Sequence, residues 1–393
     1  MKKQHSRIAL AVSCACATFA AGQAMAFEVG SKDGWKLDVN GTVNAFYVNS
    51  DNETTVGGTK TDNKQANVQN GLLPGWINFV ATGQQDGYDI KAHFGFAPGI
   101  SSNSSIVGLP SSVNGVNTDA YSKIDSRNVY FQFGNKSMGT LKFGRDIGLF
   151  GQTVILNDMT LLGVGGTTRA AEPFNTSFGM IGHGYMYTGF QPQITYSLPA
   201  MGGFNLSAGI FNPSQATGNE RKSPAMQAQA SFDFSGGKVW AATTSQKTSG
   251  PGGISSSGFE GGVKLGFGPV EAVAYAFTAK GLGVSTVGAQ YLGGLDVSGN
   301  KLKSKGMFLQ GTVKATEKLK AGLSYGKNTD TDLMAVNTDT TNKAVAAGLY
   351  YSLTKSITLV GEYVNEKGDN LLTVGNNSTS KTNTMSLGAI LFF

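Results

Sequence analysis

The amino-acid sequence predicts an all-β protein, a 16-stranded antiparallel transmembrane β-barrel with a long third loop folded into the pore. Segments of about ten residues alternate between apolar and polar side chains, as transmembrane strands do. Short connections between these segments alternate with long ones. After residue 26, no run approaches the roughly 18 apolar residues of a membrane helix. Because lipid tolerates only helices and closed barrels, a membrane protein of this composition must be a barrel.

The first 26 residues have the pattern of a cleaved signal peptide. Three basic residues precede the apolar stretch 8–21, and an A-x-A motif ends at Ala26. We therefore expect cleavage between Ala26 and Phe27, export of the chain, and a barrel that covers 27–393.

Cysteine and charge content narrow the class of protein. Cys14 and Cys16, the only cysteines, lie in the leader, so the mature chain forms no disulfide. A lipoprotein signal that uses either cysteine is the alternative, but it leaves too short an apolar core. Three of the 31 basic residues also belong to the leader, so 28 remain against 25 acidic residues. This balance argues against a nucleic-acid-binding protein, which should show a clustered basic face.

The first strand has the clearest pattern. From Trp35 to Tyr47 the odd positions are apolar or small, and the even positions from Lys36 to Asn44 are polar. Asn-Gly is a common hairpin turn, but the alternation continues through Asn40-Gly41, so we expect the strand to continue as well.

Fifteen further strands are predicted by the same alternation. The predicted strands are 35–48, 73–83, 88–98, 126–133, 140–146, 189–198, 203–212, 225–234, 237–247, 258–267, 270–280, 306–315, 319–327, 343–352, 356–365 and 382–393. The predicted long connections, apart from the central one, are 49–70, 99–125, 213–224, 248–257, 281–305, 328–342 and 366–381. Barrels of the outer membrane have short turns on one side and long loops on the other. A secreted sandwich or propeller is the alternative, and a further hairpin around Val284–Tyr291 would give eighteen strands.

The stretch from Gly139 to Gly189 differs from the rest of the chain. It opens and closes as a strand, but the part between is Gly-rich and weakly periodic. Loops of this length are generally functional. We expect this one to fold into the bore of the barrel and to present side chains there.

The final strand places Met385, Leu387, Ala389, Leu391 and Phe393 on one face. A terminal Phe after such a strand resembles the signal that is read by the outer-membrane barrel assembly machinery.

Together, these features resemble the trimeric general porins of Gram-negative outer membranes. The most specific local match is SRNVYFQFGNKSMGTLKFGRD, residues 126–146. The resemblance implies a homotrimer in the cell outer membrane, in contact with membrane lipid and lipopolysaccharide. It also implies a channel for passive diffusion of small solutes and ions, with no enzymatic activity and no cofactor.

In that family the inward loop narrows the pore to an eyelet, where loop acids face a basic ladder on the wall. The aligned wall positions here hold Thr42, Trp76, Arg145 and Ser197, so only one of them is charged. Because most of the basic wall residues are replaced by uncharged ones, we expect weak ion selectivity.

The loop tip also departs from the family pattern. Asp158 matches its start, but the following residues lack the expected acids before Arg169 and Glu172. The two arginines, Arg145 and Arg169, would tilt selectivity mildly toward anions.

Arg145 presents a conflict in the pattern. Strict alternation places it with Leu141 and Phe143 on the lipid side, where an Arg costs about 2–4 kcal/mol at the midplane. A bulge at Gly144 would turn it toward the pore, since glycine commonly marks bulges. We expect the pore-facing orientation, with an Arg near the lipid headgroups as the alternative.

Other functions have weaker support. His93 and His183 are the only histidines after the leader and match no metal-binding motif, so we expect no metal site. The alternatives are a substrate-specific channel for a sugar or an aromatic solute, favoured by Trp76, and less so an adhesin or a hydrolase.

Overall fold

The protein folds into one large antiparallel sheet that closes on itself. The computed structural model describes residues 26–100, 112–113, 116–117, 124–166, 176–213, 220–250, 253–282, 294–370 and 378–393. Residues 1–25 of the expected leader lie outside this part of the chain.

Twenty strands are present in the described residues. They are β1 (Phe27–Lys32), β2 (Trp35–Val56), β3 (Thr59–Gln69), β4 (Trp76–Gln85), β5 (Tyr88–Pro98), β6 (Ser112–Val113), β7 (Val116–Asn117), β8 (Ile124–Asn135), β9 (Gly139–Ile147), β10 (Phe190–Ser197), β11 (Phe204–Phe211), β12 (Ala225–Phe234), β13 (Gly237–Lys247), β14 (Ser255–Phe267), β15 (Val270–Lys280), β16 (Lys303–Lys314), β17 (Leu319–Ala335), β18 (Thr338–Ser352), β19 (Ile357–Asp369) and β20 (Ser378–Phe392). The helical elements are α1 (Gln152–Ile155) and a 3₁₀-helix (Met159–Leu162). No helix in the described chain is long and apolar enough to cross a membrane.

The barrel has sixteen strand positions because two positions are each shared by two strands. On one side of β2, β4 pairs with residues 35–42 and β3 with residues 46–56. On its other side, β1 pairs with residues 35–39 and β20 with residues 42–56. β6 and β7 form a separate pair. The predicted 16-stranded barrel is therefore confirmed.

A glycine lies where β2 contacts both β4 and the end of the chain. The amide of Gly41 donates to the carbonyl of Phe393 at 2.8 Å, and the amide of Phe393 donates back at 3.1 Å. A Cβ on Gly41 would lie 2.0 Å from the carbonyl oxygen of Trp76. As expected, β2 runs through Asn40-Gly41 without a turn.

Side chains alternate between the two faces of the wall. On β2, Val43 and Tyr47 are about half exposed, whereas Asn44 and Phe46 are buried. The exposed face thus carries apolar side chains, which suits contact with lipid. We call the exposed face outward and the buried face inward.

Several strands are longer than the sequence predicted. The predicted loops 49–70 and 328–342 are largely the hairpins β2–β3 and β17–β18, in which ladder pairing continues. These extensions are polar on both faces, so hydrophobic alternation gives no signal there. Ion pairs cross the first hairpin instead, between Lys60 and Glu53 at 2.8 Å and between Lys64 and Asp51 at 3.5 Å.

We predict that Gly41→Val destabilises the barrel where β2 lies between β4 and the end of the chain. The new side chain would overlap the carbonyl oxygen of Trp76 on β4 and the ring of Phe393, and overpacking of this kind costs about 1–3 kcal/mol. The variant should therefore unfold at a lower temperature than the wild type. The measurement is the shift between folded and heat-denatured bands on electrophoresis. Gly311→Val in β16 is the matched control, since no atom lies within 4 Å of a Cβ there. A Gly41→Val barrel that converts to the denatured band at the wild-type temperature would contradict this prediction.

Candidate functional site

The central segment is described over residues 148–166 and 176–189, and these residues lie against the inward face of the barrel wall. Its first turn is held by β12 and β14: the side-chain oxygen of Gln227 accepts from the amides of Leu149 and Phe150 at 2.8 and 3.0 Å. Both carboxylate oxygens of Glu260 accept from the amide of Gly151 at 2.9 Å. These contacts join residues that are 77 to 109 positions apart in the chain.

Further contacts hold the middle of the central segment. Glu362 on β19 accepts from the amides of Val164 and Gly165 at 2.7 and 2.8 Å. Gln310 on β16 accepts from the amide of Met159 at 2.7 Å. Wall side chains therefore satisfy backbone donors that would otherwise be buried without a partner, a loss that costs about 1–3 kcal/mol per group.

A tyrosine orients each of the two wall glutamates. The Tyr275 hydroxyl donates to Glu260, and the Tyr350 hydroxyl donates to Glu362, both at 2.7 Å. Both carboxylates are buried. Several hydrogen bonds to each carboxylate offset the cost of burying it, so these pairs act as rigid attachment points.

Apolar packing and a close backbone approach also hold the central segment against strands β16 and β17. In the central segment, Tyr185 packs edge-on against Phe308 of β16, with ring centroids 5.6 Å apart. A Cβ on Gly326 of β17 would lie 1.7 Å from the carbonyl oxygen of His183. Only glycine permits the central segment to approach β17 this closely.

Asp158 holds the central segment together internally. Its carboxylate accepts from the Thr160 amide at 2.9 Å, the Met180 amide at 3.1 Å and the Tyr185 hydroxyl at 2.5 Å. Burial raises the pKa of Asp158, while the hydrogen bonds from Tyr185 and Thr160 lower it. The side chain is fully buried, so it serves the fold of the segment in place of the pore lining that the sequence suggested.

Three basic side chains lie on the inward faces of β5, β8 and β9, away from the strands that hold Glu260 and Glu362. We call Lys91, Arg127 and Lys142 the basic arc. Lys142 pairs with Asp146, and Lys91 and Lys142 lie 5.7 and 4.9 Å from the centre of the Tyr130 ring. The arc thus combines cations with an aromatic surface.

A β-bulge turns Arg127 inward. Gly95 of β5 pairs with Asn128 and the next residue, Phe96, pairs with Ser126, so Arg127 is the extra residue. Both Arg127 and Asn128 are buried as a result. Sequence reasoning missed Arg127 because strict alternation assigns it to the outward face. An arginine on an apolar face was the available signal for a bulge.

Arg127 lies between two aromatic rings and a carboxylate. Its guanidinium is 5.6 Å from the Trp76 ring centre and 5.4 Å from that of Phe190, and its Nε lies 3.0 Å from Asp125. Such cation–π contacts contribute about 0.5–2 kcal/mol. Trp76 is buried, and among the described residues its indole nitrogen has no hydrogen-bond partner.

The expectation that Arg145 faces the pore is corrected by the register of β9. Arg145 is exposed and pairs with Val129 and Pro192, which are also exposed. Gly144 has a φ of 125°, but no register shift accompanies it, so the alternation continues through this residue. The bulge that turns an arginine inward lies at Arg127 instead.

The remaining sequence-predicted site residues are dispersed. Thr42 donates to the carbonyl of Pro74 at 3.1 Å, and Ser197 is hydrogen-bonded to Ser207 at 2.7 Å. Arg169 and Glu172 lie outside the described residues. Within the described chain, no group of three His, Cys, Asp or Glu residues is arranged to hold a metal ion.

Comparisons with known proteins agree on one family and one fold. The sequence profile of the Gram-negative porin family matches residues 9–371. No curated protein sequence gives a significant match.

Three similar solved structures illustrate the fold. The outer membrane channel DcaP of Acinetobacter baumannii superposes with a TM-score of 0.67 at 18% identity, covering 93% of this chain and 99% of that one. An anion-selective porin from Comamonas acidovorans has a TM-score of 0.59 at 14% identity, with 90% and 100% covered. OmpT, an outer membrane protein of Vibrio cholerae in a trimer form, has a TM-score of 0.55 at 15% identity, with 92% and 100% covered.

We predict that Glu362→Ala loosens the central segment. Two buried amides lose their acceptor, so backbone hydrogen exchange at Val164 and Gly165 should become faster by about tenfold or more, given about 1–3 kcal/mol per lost partner. Exchange is measured by mass spectrometry on the purified barrel. Glu271→Ala is the matched control, because this wall glutamate pairs with Lys264 and Lys320. Equal exchange in both variants would refute the attachment role.

Proposed function

Because the chain belongs to the Gram-negative porin family, we propose that it forms a water-filled channel in the cell outer membrane, through which small hydrophilic solutes and ions diffuse passively. The observation that carries this proposal is the attachment of the central segment to the inward wall by Glu260 and Glu362. Barrels of sixteen strands are wide enough for an aqueous channel. A segment bound across the inward face narrows that channel, so size exclusion is the first part of the mechanism.

The second part of the mechanism is the electrostatic effect of the charged side chains where the channel is narrowed. The basic arc contributes three cations, whereas the neighbouring inward acids are Asp125 and Asp146. The carboxylates of Glu260 and Glu362 are buried against the central segment and accept hydrogen bonds there. Charged groups that line a pore set its ion selectivity. An excess of one cation supports a mild preference for anions.

The proposed channel also includes pore residues that were predicted from the sequence. We propose that Thr42, Trp76 and Ser197 on the barrel wall, and Arg169 and Glu172 on the loop tip, face the pore.

The proposal also covers export and assembly. We propose that the leader is removed before Phe27, that the barrel assembly machinery recognises Phe393, and that the folded barrel contacts lipopolysaccharide.

A homotrimer is the proposed assembly, with no catalytic step and no cofactor. Its support is the family resemblance together with the trimer form of OmpT, whose fold is similar.

We predict that planar bilayers containing the protein show discrete conductance steps and a mildly anion-selective reversal potential in a KCl gradient. Arg127→Gln should shift this potential toward zero or toward cation selectivity, because one inward cation is lost. Lys305→Gln is the matched control, since Lys305 is an exposed, outward residue of β16 and its loss should leave the potential unchanged.

The same recordings separate the alternatives. Strong cation preference in the wild type would contradict the role of the basic arc while leaving the channel intact. A correctly folded barrel without conductance would contradict the channel itself and favour adhesion or catalysis.

A substrate-specific channel for aromatic solutes is the second candidate, favoured by the Trp76 indole nitrogen that lacks a described partner beside Arg127. Aromatic carboxylates match Trp76 and Arg127, because the solute ring can stack on an aromatic side chain. The solute carboxylate can accept hydrogen bonds from the indole nitrogen of Trp76 and the guanidinium of Arg127. Benzoate should then block the current saturably, and Trp76→Phe should weaken the block severalfold. Acetate is the control solute. Equal, non-saturating effects of the two anions would rule this candidate out.

A further inference from the structure

Four lysines lie in a row across strands β13 to β17, apart from the basic arc. Lys238 on β13 is directly opposite Lys264 on β14 in the ladder, and Lys314 on β16 is directly opposite Lys320 on β17. We call these four residues the lysine row. The pore proposal makes no use of them.

Regular alternation places the lysine row on the inward face of the wall. The ladders that join these strands have no register shift over these residues. Each lysine lies two or four residues from a buried wall residue of its own strand, and therefore on the same face. These buried residues are Trp240 on β13, Glu260 on β14, Gln310 on β16 and Ser324 on β17.

The lysine row lies on the periplasmic side of the central segment. On β17, a Cβ on Gly322 would lie 2.3 Å from the sulfur of Met159 in the segment. Lys320 is the next inward residue toward the short connection before β17, about 7 Å further along the strand. Short connections of such barrels are periplasmic. A solute that has passed the central segment therefore meets the lysine row next.

The side chains of the row are open to the lumen. Those of Lys238, Lys264 and Lys320 are 37%, 35% and 31% exposed. By contrast, Glu260 and Glu362, which lie behind the central segment, are 0% and 4% exposed. A dissolved ion can thus reach the lysines without any movement of the segment.

Positive charge is in excess along the row. Glu271 on β15 lies 3.1 Å from Lys264 and 3.7 Å from Lys320, and it also interacts electrostatically with Lys314. Asp233 on β12 pairs with the β13 lysine at 3.2 Å. Four cations therefore accompany two carboxylates. Like charges that are directly opposite in a ladder destabilise it, so an anion bound here would offset two unfavourable pairs.

We propose that the lysine row binds a divalent oxyanion group, such as sulfate or a phosphate, on the periplasmic side of the narrowed channel. The two charges of such a group match the excess of the row, whereas a monovalent anion neutralises half of it. Lysine suits this ligand because its ammonium group is a compact point charge with three donors on a flexible chain. An inorganic ion and a small phosphorylated solute present the same group, so both are expected to bind.

The inference rests on the proposed channel for the route by which the anion arrives, but its test measures binding without conductance. Lysines of the purified full-length mature barrel are reductively dimethylated with carbon-13, which keeps their charge. NMR then follows the methyl signals during titration with sulfate at constant ionic strength, and lysine-to-glutamine variants assign the signals. Signals of the lysine row should shift saturably, while that of the outward residue Lys305 should not.

Two variants should change the affinity in opposite directions. Lys320→Gln should raise the dissociation constant of sulfate about tenfold, because each charge of the dianion loses one attraction. Glu271→Gln should lower the constant severalfold, because the excess of positive charge increases. Lys305→Gln is the matched control and should leave the constant unchanged, since this exposed lysine of β16 faces outward. Electrophoretic heat modifiability establishes that each variant is folded.

Two further solutes test the chemistry of the ligand. Glycerol 3-phosphate carries the divalent group on an organic solute and should bind as sulfate does. Acetate at the same ionic strength should give no saturable shift.

Three results would overturn the proposal. Parallel, non-saturating shifts of all lysine signals would mean that sulfate only screens charge. Saturable binding of acetate with the affinity of sulfate would remove the preference for a divalent group. Weaker binding of sulfate to Glu271→Gln than to the wild type would mean that the lysines serve only as structural partners of Glu271.

Discussion

Attachment of the central segment to the inward wall is the interaction on which the rest of this structure depends. A 16-stranded barrel without it would enclose a wide space lined by strands alone. The buried acceptors Gln227, Glu260, Gln310 and Glu362 satisfy backbone amides of the segment. Because a buried donor without a partner is costly, these side chains determine where the segment can lie. The apolar residues around them then exclude water from the contact.

The two parts of the inward wall consequently differ in chemistry. Strands β14 to β19 present tyrosines, aliphatic residues and three glutamates, Glu260, Glu362 and Glu366, toward the central segment. Strands β5 to β9 instead present the basic arc with Tyr130 and its acids. The carboxylates of Glu260 and Glu362 lie behind the segment, whereas the basic arc lies on the other wall, where Arg127 and Lys142 pair with Asp125 and Asp146. Of the wall positions aligned with the family ladder, two are neutral polar residues, one is Trp76, and the fourth, Arg145, faces outward.

Much of the fold could be predicted because each strand carries its own signal. Alternation identified all sixteen positions, and the strand through Asn40-Gly41 was correctly expected to be continuous. The same signal failed in β3 and in the outer parts of β17 and β18. There both faces are polar, and ladder hydrogen bonds maintain the strand without any hydrophobic pattern.

The site was harder to predict, and two arginines illustrate the reason. A glycine next to Arg145 suggested a bulge, but the ladder there is regular and the side chain faces outward. The bulge occurs at Arg127, where it depends on pairing between β5 and β8. Whether an extra residue is accommodated is decided by the partner strand, and one strand's sequence carries no record of that pairing.

The sequence by itself determined the barrel, the strand count and the existence of a long central loop, because alternation with a period of two is a local property. Only the tertiary structure decided which wall residues hold that loop and which cations face inward. Glu260 meets Gly151 across 109 residues and Glu362 meets Val164 across 198 residues. Such contacts arise from the register of all the intervening strands together, and a shift of one residue would turn the same side chains to the other face of the wall.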